Sequence, residues 1–356
     1  MDDLRHLTGQ PYALAPGGEP IHEAVGPLRS ALARHPALAQ AGEPPDLDWL
    51  AARAERAWSA AQTASPWRYD ETGAILPDLV LDAESAVRMY DDGPQRDRVI
   101  RAAGAVYLLA RAWSKWVGEH DLALLCAERS LTVAERGSDA GLLGAAAWNM
   151  AQALSTRGDA EQARLVVDDA LTVLAVDAAS DAAPAGLLSS YGALHLVGMV
   201  AAVRTDDRAA GRRMLRQAAQ AAARLPGDAN EWRLAFNSTN VAIHRVSYAV
   251  ELGHSRTAVQ SAAGLRVALA PSVERRVSHR LDVAQSYTRL RDDSAALAAL
   301  MAAEHESPEQ VVYSPTARAA VREMLRRETP RTRPTLVPSP PGLACSTELL
   351  KSPAER

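Results

Sequence analysis

The chain has 356 residues, 47% of them apolar, with 39 Lys+Arg against 43 Asp+Glu and a net charge of −4. That balance excludes a strongly basic nucleic-acid footprint, and the apolar share is enough for a sizeable core built mainly from Leu, Val and Ala. Two cysteines, Cys126 and Cys345, give neither a disulfide framework nor metal-ligand spacing, which fits a reducing, cytoplasmic setting.

In chain order, Met1–Pro45 reads as an N-terminal linker with one short helix, because Gln10-Pro11, Pro16-Gly17-Gly18 and Gly42-Glu43-Pro44-Pro45 punctuate it. Asp46 is placed to cap the next helix, which Ser65-Pro66 ends before a partner from Tyr69 to Tyr90. From Pro94 onward, 3.6-residue periodicity predicts helices at 95–117, 121–136, 140–156, 160–174, 184–204, 208–225, 231–252, 256–269, 272–290, 294–304 and 315–327. The apolar stretch Leu187–Val203 contains His195 and reads as too short for a membrane span. Residues 329–356 form a Pro-rich tail without a sustained apolar period.

One pattern organises the whole. A turn followed five residues later by alanine occurs at Gly118/Ala123, Gly158/Ala163, Thr205/Ala210, Gly253/Ala258 and Arg291/Ala296, with successive copies 38 to 48 residues apart. Glycine ends a helix in the left-handed conformation, a following aspartate such as Asp159 can cap the next, and a small residue lets the two helices approach. Repeats of this period built from helix pairs are the mark of tetratricopeptide-like solenoids. The expected fold is therefore all-α: a helical-hairpin solenoid over 46–328, wound as a right-handed superhelix. A single hairpin cannot bury its apolar stripe, but stacked hairpins do so and leave a concave face.

Polar residues on the first helix of each pair would face that groove. Asn237, Asn240, His244 and Ser247 follow three- and four-residue steps on one face. Tyr191 and His195 lie one repeat earlier, Asn149 and Gln152 two, and Tyr107 and Arg111 three; His279 and Asp282 follow on a later helix. Amide and imidazole side chains suit a peptide backbone or a polar metabolite. The alternative is ordinary inter-helix hydrogen bonding. No HxxxH, HExxH, GxSxG, GxGxxG or GxxxxGK[ST] pattern is present, so no metal, cofactor or nucleotide is expected, and no catalytic group stands out. Trp113, Trp116, Trp148 and Trp232 read as packing residues. Arg208, Arg212, Arg213 and Arg216 read as a solvated outer face.

Five segments, in order, carry a family likeness: Leu7–Tyr12 (LTGQPY), Tyr191–Leu196 (YGALHL), Phe236–His244 (FNSTNVAIH), His279–Tyr287 (HRLDVAQSY) and Ser307–Val311 (SPEQV). Through them the chain resembles the sensor region of actinomycete Xre-type helix-turn-helix transcriptional regulators. The resemblance implies a regulator that senses a ligand on its repeats and acts on DNA through a helix-turn-helix domain. No such domain fits into residues 1–46, so DNA contact falls to a separate partner or to a segment encoded upstream. A homodimer is compatible with this reading. Two alternatives stay open: a protein-protein adaptor with no small ligand, and an enzyme recruited from the scaffold, with His244 or His279 as base and Asp282 as its partner.

Overall fold

The five turns are the same turn, repeated. In each, the residue after the left-handed position donates its N–H to a carbonyl five residues back: Glu119 to Ser114, Asp159 to Leu154, Asp207 to Ala202, His254 to Ala249 and Asp292 to Tyr287. The left-handed residues are Gly118, Gly158, Asp206, Gly253 and Arg291. The third copy is thus one residue later than the Thr205/Ala210 reading, and its small residue is Gly211. Ala123, Ala163, Ala258 and Ala296 are all buried, as close helix approach requires. Asp207 and Asp292 cap their helices through Ala210 N and Ala295 N, whereas Asp159 makes no capping bond and instead lies 3.5 Å from Arg157.

The structure is a computed structural model that describes residues 13–14, 20–34, 45–90, 93–227 and 229–327. It is all-helical apart from a two-residue antiparallel pair, β1 (Ala13–Leu14) and β2 (Pro20–Ile21). The α-helices are α1 (Val25–Ala33), α2 (Leu47–Gln62), α3 (Arg68–Met89), α4 (Arg96–Trp116), α5 (His120–Ala134), α6 (Ala140–Arg157), α7 (Ala160–Ala179) and α8 (Ala185–Arg204). They continue with α9 (Arg208–Ala223), α10 (Ser238–Glu251), α11 (Ser255–Ala262), α12 (Val273–Leu290), α13 (Asp293–Glu306), α14 (Pro308–Tyr313) and α15 (Pro315–Arg326). The proposed tail at 329–356 and the Leu7–Tyr12 segment lie outside the described residues.

From α4 to α13 each helix packs on the next, and the alternate helices α4, α6, α8, α10 and α12 also pack on one another in sequence, forming an inner row. Helix α8 is the centre of that row. By length and composition it is apolar enough to cross a membrane, but 78% of its apolar window is buried among the other helices. The core extends upstream of Asp46, because α1 packs on α3 and buries Leu28 and Leu32. Asp46 caps α2 as its position predicts, accepting from Asp48 N and Trp49 N.

Two departures from the sequence reading shape the interior. First, residues 231–237 are not the start of a helix. Trp232, Arg233 and Ala235 adopt left-handed backbone at φ 51°, 56° and 53°, and α10 begins only at Ser238 with Asn237 as its N-cap. Tertiary anchors impose this conformation: fully buried Phe236 seats on Gly192, where a Cβ would come within 2.0 Å of its ring. Asn230 donates to Gln62 Oε1 and accepts from Ala235 N, and Gln62 donates to Arg233 O, so the loop is tied across to α2.

Second, the start of α3 meets α14. Arg68, fully buried, donates to Ser307 Oγ and Gln310 Oε1, each at 3.1 Å, and to Ala61 O. Glu309 accepts from Tyr69 N at 2.8 Å and from Asp70 N, supplying a carboxylate to the N-terminus of α3 from a helix 240 residues away. A carboxylate there satisfies orphan amides and complements the helix dipole. Helix α14, unread in the sequence, carries Glu309 and Gln310 of this clasp and buries Val311.

Candidate functional site

The inner row and the tied loop line a cavity of about 50 Å³. One water needs roughly 10–15 Å³ on this measure, so the space takes a few solvent-sized groups. Helix α4 contributes Arg111 and Lys115, α6 contributes Trp148, Asn149 and Gln152, α10 contributes Asn240 and His244, and α12 contributes Glu274 and Arg275 at its first turn. Trp232 and Arg233 of the tied loop complete the wall.

Arg111, 3% exposed, lies with its guanidinium 4.7 Å from the Trp148 ring centroid and donates from Nε to Asn149 Oδ1. Burial disfavours its charge, and the attraction of Glu274 only partly offsets this. Glu274 is bidentate with Arg275 and lies 3.4 Å from Lys115 Nζ. Burial opposes its ionisation, but Arg275 and Lys115 outweigh burial and hold its carboxyl well below the usual range. Burial in turn disfavours the Lys115 ammonium. His244 Nδ1 lies 2.9 Å from the Asn240 carbonyl oxygen, so that nitrogen carries the proton and Nε2 is the acceptor; burial lowers its pKa to about 4, leaving the ring neutral at pH 7.

Of the twelve residues that the sequence places on a groove-facing side, Arg111, Asn149, Gln152, Asn240 and His244 do meet at this cavity. Asn237 is instead a helix cap, accepting from Asn240 N. Tyr191 and His195 are on α8 but away from the cavity, packed edge-to-face at 4.8 Å, and the residues α8 presents to the cavity are Ala193 and Leu196. Asp282 accepts from Ser247 Oγ at 2.5 Å outside the cavity, and burial lifts its carboxyl to about 6. His279 is buried on the same helix, and burial lowers it to about 4. His195, His244, His279 and Asp282 do not converge, and no group of three or more metal-ligating side chains occurs among the described residues. Tyr107 pairs with Glu84 rather than lining the site, while Arg111 lines it.

The sequence reading missed Lys115, Glu274 and Arg275. Lys115 was legible, standing one turn after Arg111 on the same face. Glu274 was not, since an acidic residue in a first helical turn reads as a dipole complement. Among the packing tryptophans, Trp113 is fully buried and donates to Tyr69 O, Trp116 stacks on Tyr69 at 5.4 Å, and Trp148 underlies Arg111. The arginines of α9 are exposed, as expected of an outer face.

Compared with known proteins, the chain matches no family model and no curated protein.

Proposed function

We propose that this chain is a small-ligand sensor module: a tetratricopeptide-like solenoid of helical hairpins whose concave side is drawn inward around a polar cavity. Five identical turns and the inner row of alternate helices support the solenoid reading. The observation that carries the sensor reading is the convergence on one cavity of buried polar and charged side chains from α4, α6, α10 and α12. Folding alone gains little from burying such groups, whose desolvation costs stability unless a partner repays it. The small volume favours a small ligand over an extended peptide: the cavity holds about 50 Å³, and Trp232 and Arg233 of the loop tied to α2 stand on its wall.

A ligand larger than the cavity gains access when the tied loop yields. Its left-handed residues cost about 1–3 kcal/mol each and hold only while Phe236, Gln62 and Asn230 restrain them. Movement of that loop shifts α10 against α2 and so alters the curvature of the stack. A decisive switch of this kind takes about 5.5 kcal/mol of differential affinity between two states. We further propose that the output is transcriptional control, delivered through a helix-turn-helix partner that is attached or separate.

Thermal unfolding of the purified chain against a panel of polar metabolites tests this reading. A ligand at 100 times its Kd contributes about 2.7 kcal/mol, which is roughly 5 °C for a chain this long. If no compound raises the melting temperature and the chain instead copurifies stoichiometrically with one protein, the adaptor reading replaces it.

A further inference from the structure

The cavity wall is electrically unbalanced. Arg111, Lys115 and Arg275 face it, and of the carboxylates only Glu274 does; Arg233 is engaged by Glu55. Two more carboxylates lie nearby, but Asp282 is bound to Ser247, and Glu309 serves the N-terminus of α3, where Arg68 adds a further buried cation. Arg111 is the group left over. It has no carboxylate within ion-pair distance among the described residues, and its two terminal NH2 groups make no hydrogen bond to them.

The neighbour of Arg111 is oriented by the same logic. An arginine only donates, so the Asn149 oxygen must face it and the Asn149 Nδ2 must face away. That Nδ2 is buried without a partner on a residue that is 0% exposed. A planar fork of donors with an amide donor beside it matches an oxyanion. The volume agrees, since about 50 Å³ admits the four or five heavy atoms of one such group.

We infer that the ligand carries an oxyanion group, a phosphate or a carboxylate, gripped by Arg111, Lys115, Arg275 and the Asn149 amide. This rests on the sensor reading and narrows it to a chemical class. Gln152, Asn240 and His244, on the same wall, then contact the uncharged remainder.

The test compares melting temperatures of the full chain at fixed ionic strength in chloride, inorganic phosphate, glycerol phosphate, acetate or glycerol. Saturable stabilisation by at least one oxyanion over chloride is the expected result. A response to inorganic phosphate marks a free ion, one to glycerol phosphate alone an ester, and one to acetate alone a carboxylate. Arg111→Met weakens the effective anion at least 30-fold. Asn149→Asp, nearly isosteric, hands Arg111 an internal carboxylate; it therefore melts at or above the wild-type temperature and loses the response, which keeps the inference testable if Arg111→Met does not fold. Oxyanions no better than chloride, or an Asn149→Asp protein that responds like wild type, overturn the inference. If oxyanions are inert but neutral metabolites stabilise the wild type, the anion inference fails and the sensor reading survives; if nothing stabilises it, both fall.

Discussion

Replacing Arg68 with alanine should open the clasp between α3 and α14. Its guanidinium makes two bonds of 3.1 Å to Ser307 and Gln310 and lies 4.8 Å from the Trp116 ring centroid. A hydrogen bond from a charged donor is worth about 1.5–3 kcal/mol, so the two cross-links together contribute roughly 3–6 kcal/mol. The loss is deepened because Glu309 and Glu274 both gain from the Arg68 charge. At about 2 °C per kcal/mol for a chain this long, the melting temperature should fall by roughly 6–12 °C. Hydrogen exchange should quicken at Pro308–Tyr313, far away in sequence, before it quickens in α6 or α8. In a cycle with Gln310→Ala the two changes should be non-additive, with a coupling of about 0.5–3 kcal/mol. A drop under about 2 °C, unchanged exchange at 308–313, or simple additivity would show that α3 and α14 are merely adjacent and that this contact does not hold them together.

Gly192→Ala places a Cβ 2.0 Å from the Phe236 ring, which should destabilise by about 1–3 kcal/mol and loosen residues 230–237; chemical denaturation and proteolysis of that loop check it. Arg291, exposed at φ 60°, holds the position that Gly118, Gly158 and Gly253 hold in other turns, so Arg291→Gly should stabilise by about 0.5–1 kcal/mol; a loss of stability would argue against the shared turn. Burial lowers His195 from 6.5 to about 4, so the unfolded chain takes up its proton first and the stability linked to neutral His195 is present above pH 6.5 and lost as pH falls toward 4. Asp282 and Glu309, raised by burial to about 6 and about 8, act in the opposite sense, so the histidine share is read as a difference: His195→Gln should gain about 2 kcal/mol on wild type between pH 7.5 and 5. Parallel pH profiles for the two proteins would refute it.

Much of the architecture was legible because it is local. Gly118, Gly158 and Gly253 announce left-handed helix ends, Asp46 announces a cap, and apolar periodicity announces the helices between them. Where the local signal is weaker, sequence and structure differ: the third turn centres on Asp206 rather than Thr205, and Asp159 makes no cap. Part of the cavity lining was legible too, since Asn149 and Gln152 on α6 and Asn240 and His244 on α10 repeat at three- and four-residue steps on one face of each helix. His195 lies on such a helix as well, but it is directed toward Tyr191 because α8 is surrounded on all sides and offers the cavity only Ala193 and Leu196.

The amino-acid order by itself determined that this chain is helical, where most helices start and stop, and that its turns repeat, because these depend on backbone preferences acting over a few residues. Tertiary structure alone decided the left-handed backbone at Trp232, Arg233 and Ala235, the closure of Arg68 onto Ser307 and Gln310, and the meeting of Arg111 with Asn149 and Glu274. Each of these joins groups tens to hundreds of residues apart. No local propensity encodes such contacts; they are stable only once the stacked helices have excluded water and left buried polar groups to find one another.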